Sequence, residues 1–286
     1  MDRLIVLITL LAFSFSTFSR EKIIYGDDNR VDVYASTNSD FVELSKSTAA
    51  MINKRSVKLS KDKKTYKIST FNFGTRMNAC KDERFFNQPI AASCSGFLVG
   101  EDLLVTAGHC VTSARDCKSS SWVFNYKMKN ETEANLDIST DNVYSCSKII
   151  SRSLDNQTQN DYALIKLDRK AKNITPLKFR TSGKVKKKTK LVVIGHPSGL
   201  PTKIADGASV RKVNNVFFTA NLDTYGGNSG SAVFNIATGD VEGILVRGGK
   251  DYSNRGGCRV SNRVGNRFGG GEGVTLITNI KELMNL

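Results

Sequence analysis

Apolar residues in this chain come in short bursts rather than in long helical repeats. Ala91 to Val99, Leu103 to Ala107, Ser121 to Tyr126, Asp161 to Leu167, Lys190 to Ile194, Asn215 to Thr219, Ser231 to Asn235 and Val241 to Val246 are such runs, punctuated by Gly, Asn, Asp and Ser. Runs of this length and punctuation predict strands closed by turns. Many short strands with no long periodic helix indicate an all-β barrel or sandwich. Two stretches depart from the pattern. Leu276, Ile280, Leu283 and Met284 have helical spacing and predict a short C-terminal helix, and Phe41 to Ile52 reads as another.

The N-terminus reads differently. Met1-Asp2-Arg3 precedes the apolar run Leu4 to Phe13 and then small residues, so residues 1–19 are expected to be a signal peptide cut near Thr17-Phe18-Ser19. The run is too short for a spanning helix, and no other stretch is long enough to serve as a transmembrane segment. A secreted or periplasmic protein is the expectation.

Composition adds a strong positive balance, +15 over 286 residues. The charge is diffuse. Its densest run, Lys184, Lys186, Lys187, Lys188 and Lys190, carries no alternating aromatic residues of the kind a stacking platform for single strands requires. No specific nucleic-acid partner is therefore expected, only salt-dependent association with anionic surfaces. The six cysteines suit an oxidising compartment and contain no Cys-x-x-Cys pair, so a zinc site is not indicated. The glycine-rich stretch Gly248 to Gly273 lacks the Gly-Lys-Ser/Thr ending of a phosphate cradle.

Three segments carry chemistry. In Gly226-Gly227-Asn228-Ser229-Gly230-Ser231 a serine stands between glycines, which allow the tight turn that aims backbone N–H groups at an oxyanion. In Thr106-Ala107-Gly108-His109-Cys110 an apolar run ends at one of two histidines, and Asn160-Asp161-Tyr162-Ala163-Leu164 puts an acid at the head of a strand. His109, Asp161 and Ser229 follow one another at separations of 52 and 68 residues. A base of near-neutral pKa, an acid to fix its tautomer and a hydroxyl nucleophile are what a triad requires. His196, in Gly195-His196-Pro197, reads as structural, because His109 already fills the base position.

These three motifs, in this order, resemble the signatures of trypsin-like serine proteases. In detail they are similar to the bacterial branch that contains the glutamyl endopeptidases, which also has Gly-Asn-Ser-Gly-Ser around the nucleophile. The resemblance implies an all-β fold of two six-stranded antiparallel barrels with a short C-terminal helix. Residues 20–286 would form the peptidase domain: an N-terminal wrap at 20–65, a first barrel at 66–168, a linker at 169–184 and a second barrel at 185–286. It also implies a serine endopeptidase acting on proteins or peptides, without metal or organic cofactor and as a monomer. His109 is the implied general base, Asp161 its partner and Ser229 the nucleophile, with the N–H groups of Gly227 and Ser229 as the oxyanion hole. Spacing alone leaves fifteen cysteine pairings open. The resemblance implies that Cys94 and Cys110 close the loop bearing the base; Cys117 with Cys146 and Cys80 with Cys258 are the accompanying expectations.

Specificity is read from two residues. Asp223 stands six positions before Ser229, where relatives that cut after Arg or Lys carry a pocket aspartate, and so implies a basic preference. The histidine that glutamyl-specific relatives place in the strand after the serine is missing from Gly243-Ile244-Leu245-Val246-Arg247-Gly248. Arg247 is expected near the pocket, where it could neutralise Asp223. Asn228 replaces the aspartate that receives a new N-terminal ammonium in the digestive enzymes, and an amide cannot form that ion pair. Activation by trimming near residues 20 to 23 is expected instead. The competing reading is an inactive, protease-like protein that uses its basic surface to hold an anionic partner.

Overall fold

The computed structural model describes residues 23–285, and the expected leader lies outside the described residues. Its first barrel closes through Ser120–Phe124, Val143–Leu154, Asp161–Leu167, Leu103–Thr106, Cys94–Gly100 and Thr48–Asn53, all neighbours antiparallel. The second closes through Lys190–Gly195, Ala232–Asn235, Val241–Arg247, Glu272–Leu276, Phe217–Ala220 and Lys203–Val213. A seventh strand, Arg30–Asp32, extends the second sheet along Lys203–Ala205.

Alternation along one strand shows how the barrels share their cores. Leu191 and Val193 point into the second barrel with Phe218, Val233, Leu245 and Val274. Val192 and Ile194, on the opposite face, join the cluster that holds Phe97, Val105, Trp122, Phe124 and Ile165 of the first barrel. Both faces of such a strand leave water, which is why its sequence is an unbroken apolar run rather than an alternating one.

Three expectations shift. Phe41 to Ile52 is not one helix: a short helix, Ser39–Ser45, is capped by the Asn38 side chain, and Thr48–Asn53 is a barrel strand. The first barrel thus begins in the segment read as an outer wrap. That strand pairs on both sides and is buried at all but its last residue, so it shows no period-2 signal. Val143–Leu154 and Lys203–Val213, rich in Ser, Lys and Arg, also escaped the apolar pattern. The C-terminal helix is a single 3-10 turn, Ile277–Asn279, followed by turns that bury Ile280 and Leu283 against the first core.

Three disulfides join Cys80 to Cys258, Cys94 to Cys110 and Cys117 to Cys146. Cys94–Cys110 ties the start of one barrel strand to the residue after His109, a separation of 16 residues. Closing a loop of that size contributes about 3 kcal/mol in the chain-entropy account.

Candidate active site

His109 follows the strand Leu103–Thr106, and Asp161 opens its partner strand, Asp161–Leu167. The pairing brings the two residues together. Asp161 accepts at Oδ2 from His109 Nδ1 at 2.7 Å and at Oδ1 from the His109 backbone N–H at 3.1 Å. Burial alone would raise this carboxyl, but the hydrogen bonds and charge of His109 hold it below the ordinary aspartate value. An ionised acceptor at Nδ1 fixes the tautomer that leaves Nε2 unprotonated, as a general base requires.

The serine segment reaches the same place from the second barrel. Ser95 N–H donates to the Ser229 carbonyl at 2.8 Å, and Ser95 Oγ donates to the Gly227 carbonyl at 2.9 Å. Gly230, at φ +88°, lies so close that a Cβ there would sit 2.0 Å from the Ser95 carbonyl oxygen and 3.0 Å from Ala107 N. Ala107 precedes His109 by two residues, so Gly230 is the contact that sets serine and histidine segments against each other.

The turn also orients its amides. Ser198 N–H donates to the Gly226 carbonyl at 2.5 Å, and Ser231 N–H donates to the Asn228 carbonyl at 2.9 Å. In a trans peptide C=O and N–H point in opposite directions. The N–H groups of Gly227 and Ser229 therefore point away from the partners that hold these two carbonyls. Gly227 has φ +92°, and a Cβ there would stand 2.5 Å from the His196 carbonyl oxygen. His196 is fully buried, its Nδ1 lies 3.0 Å from the Leu200 carbonyl oxygen, and its ring stacks on Tyr126. Burial lowers its pKa to about 4, so it backs the turn as a neutral ring.

Asp223 takes a different place from the one its position suggests. It is buried, and its oxygens accept from Tyr25 N–H at 2.7 Å and from Asn29 N–H at 2.9 Å. Burial raises the carboxyl to about 6 against these two hydrogen bonds. Arg247 donates to the Gln159 carbonyl, lies over the Phe217 ring at 5.0 Å and interacts with the charge of Asp161. Its Nη1 is buried without a hydrogen-bond partner among the described residues. The structure thus joins His109 to Asp161, packs residues 227–230 against Ser95 and Ala107, gives Asp223 to the N-terminal segment and sets Arg247 within reach of the charge of Asp161.

Comparison with known proteins agrees with this geometry. The family profile described as trypsin-like peptidase domain matches residues 94–244, more than half of the chain. The chain belongs to the trypsin-like peptidase family. It is accordingly a peptidase, a hydrolase of peptide bonds. A curated relative from Bacillus subtilis (strain 168), named extracellular metalloprotease, is 28% identical over 217 residues, covering 72% of this chain and 67% of the relative. The fold is shared with a Glu endopeptidase solved in complex with MPD, at TM-score 0.52 and 17% identity over 92% of this chain and 98% of that one. It is shared as well with the Vibrio cholerae VesB protease, at TM-score 0.53 and 14% identity over 90% and 66%.

The Bacillus relative's name raises the question of a metal. Among the described residues one group has three candidate ligands within reach of each other, Cys94, His109 and Cys110. Its two sulfurs are joined to each other, so neither offers the thiolate a metal would bind. This trypsin-like peptidase has a donor set there that does not fit a metal.

One buried carboxyl beside the segment that leads to Ser229 escaped sequence reasoning altogether. Glu272 opens the last barrel strand, is fully buried, and accepts from Thr224 Oγ1 at 3.0 Å and from the Tyr25 hydroxyl at 3.4 Å. Set among glycines, it offered no motif, and its partners Thr224 and Tyr25 are remote in sequence.

Proposed function

We propose that this chain is an exported serine endopeptidase that cuts proteins or peptides after Arg or Lys through an acyl-enzyme. Ser229 Oγ attacks the scissile carbonyl carbon as His109 Nε2 takes its proton. The oxyanion forms against the N–H groups of Gly227 and Ser229. The C–N bond then breaks, and His109 returns the proton to the leaving amine. Water repeats the cycle on the ester, releasing the acid and restoring Ser229. Asp161 stabilises the imidazolium in each half. The single observation that carries this reading is the 2.7 Å contact of His109 Nδ1 with Asp161, next to a serine turn clamped on the same strand.

Export is supported by three disulfides and by the word extracellular in the Bacillus relative's name. We take residues 20–286 as one catalytic domain working as a monomer, its basic surface giving salt-dependent adhesion to anionic partners.

A serine-directed fluorophosphonate tests the proposal. Wild-type protein should be labelled, and Ser229→Ala should abolish the labelling without loss of fold. A folded, processed wild type that stays unlabelled would leave only an inactive, protease-like binding protein.

A further inference from the structure

We infer that Arg247 is a positioning residue for the triad: from the second barrel it pins the segment that delivers Asp161 and sets a positive charge against that carboxylate. This rests on the serine-endopeptidase reading and deepens it. Strand Val241–Arg247 meets both sides of the triad. At Leu245 it holds the nucleophile turn, accepting from Gly230 N–H at 2.8 Å and donating to the Ser231 carbonyl at 3.0 Å. Two residues on, Arg247 donates through Nη2 to the Gln159 carbonyl, two residues before Asp161. Gln159 has φ +65°, a left-handed conformation that a residue other than glycine keeps where its surroundings impose it. A second side chain grips the same segment: Asn279 Nδ2 donates to Asn160 Oδ1 at 2.9 Å and to the Val216 carbonyl at 2.8 Å. His109 and Asp161 belong to the first barrel and Ser229 to the second, so these bonds fix the acid and its base relative to the nucleophile.

Arg247 reaches this point against the cost of burial. Its guanidinium lies over the Phe217 ring, and Nη1 is buried without a hydrogen-bond partner among the described residues. Gly273, its pairing partner, makes the room: a Cβ there would stand 2.5 Å from Arg247 Cγ. A buried guanidinium keeps its proton and needs a compensating charge. Burial opposes the charged form of Arg247 and Asp161 favours it; in return, His109 and Arg247 hold Asp161 ionised. The other charged groups around the segment have partners of their own. Arg152 Nε donates to the Gly108 carbonyl at 2.7 Å, Asp155 accepts from Gln157 N–H and Thr158 Oγ1, Glu272 accepts from Thr224 and Tyr25, and Glu282 accepts from Ser151. A cation that stabilises this carboxylate opposes a second positive charge on the imidazole bonded to it. Removing Arg247 therefore favours the imidazolium, the form of His109 that cannot take the Ser229 proton.

Two readouts test the two parts of this role. The chain has 2 histidines, so proton NMR can follow the His109 ring through a pH titration in a Ser229→Ala background, with no substrate present. Arg247→Gln should move the midpoint to higher pH by on the order of one unit, the scale of a nearby unit charge. Arg247→Lys, which keeps the charge, and Asn279→Ala, which removes only the other grip, should leave it in place. With Ser229 restored, Arg247→Gln should lower kcat on the pH plateau by about 10–100-fold in a steady-state peptide assay, the scale of a small misplacement of a catalytic group. An unmoved midpoint in Arg247→Gln, an equal shift in Arg247→Lys or Asn279→Ala, or an unchanged plateau kcat overturns the assignment. Should Arg247→Gln not fold, Arg247→Lys decides: a midpoint that holds while plateau kcat falls supports the role, and a midpoint that moves overturns it. A wild type that fluorophosphonate leaves unlabelled fails the serine-endopeptidase reading instead, and the His109 titration still reports on Arg247.

Discussion

Replacing Asp223 by Asn should change how stability depends on pH. Burial holds this carboxyl at about 6 in the folded chain, against 3.8 for a free aspartate. A folded pKa above the unfolded one means that the native state binds more protons between those values. Its contribution therefore grows as pH falls from 6 toward 4, by about 3 kcal/mol for a shift of roughly two units. His196 works in the opposite direction. Burial lowers its pKa from 6.5 to about 4, so the unfolded chain takes up the proton first. Stability from the neutral ring is complete above pH 6.5 and is lost over the same interval, again by about 3 kcal/mol. The two nearly cancel in the native chain. Asp223→Asn removes one of them, and the loss on acidification then stands uncompensated. For a domain of this size about 3 kcal/mol corresponds to roughly 6–12 °C in Tm. Thermal unfolding at pH 6.5 and pH 4, in a Ser229→Ala background to prevent self-cleavage, should show a Tm drop larger by that amount in Asp223→Asn. Equal drops with and without the substitution would refute the assignment of the raised pKa to Asp223.

Other expectations follow from the same contacts. Asp161→Asn should leave the fold intact and reduce kcat by about 10⁴-fold in a steady-state peptide assay, since an amide no longer enforces the tautomer at His109. Replacing Cys94 and Cys110 together by Ser should cost about 2–5 kcal/mol in denaturant unfolding. Mass spectrometry of the mature protein should place its N-terminus at or before Ile23, because Tyr25 N–H and Asn29 N–H are the partners of Asp223; a mature start beyond Asn29 would contradict this.

The fold and the cleft differ in how much of them the sequence displayed. Strands buried on both faces, such as Lys190–Gly195, announce themselves as apolar runs. The half-exposed Val143–Leu154 does not, because its Ser, Lys and Arg residues answer to solvent on one side. His109, Asp161 and Ser229 were legible because each sits in a local motif that fixes its own backbone. Asp223 was legible as a residue but not as a partner: its acceptors' donors lie 194 and 198 residues away, in a segment with no distinguishing pattern. Glu272 was invisible for the complementary reason, since its partners Thr224 and Tyr25 meet it only through tertiary packing. Position relative to the nucleophile thus said nothing of the partners of Asp223, which only the tertiary contacts reveal.

That distribution of carboxylates also bears on Asn228. Its Oδ1 accepts from Ser231 Oγ at 3.2 Å inside the buried turn, so the amide is satisfied locally and needs no incoming ammonium. The rest of the turn is held in the same manner. Asp251 accepts from Gly226 N–H at 2.8 Å, Asn228 N–H donates to the Tyr225 carbonyl at 3.0 Å, and Ser95 secures Gly227 and Ser229. At about 1 kcal/mol net for each hydrogen bond, these contacts are a sizeable fraction of the 5–15 kcal/mol that stabilises a typical domain. A turn fixed in this way by its own neighbours needs no new ion pair beside the serine to hold its shape.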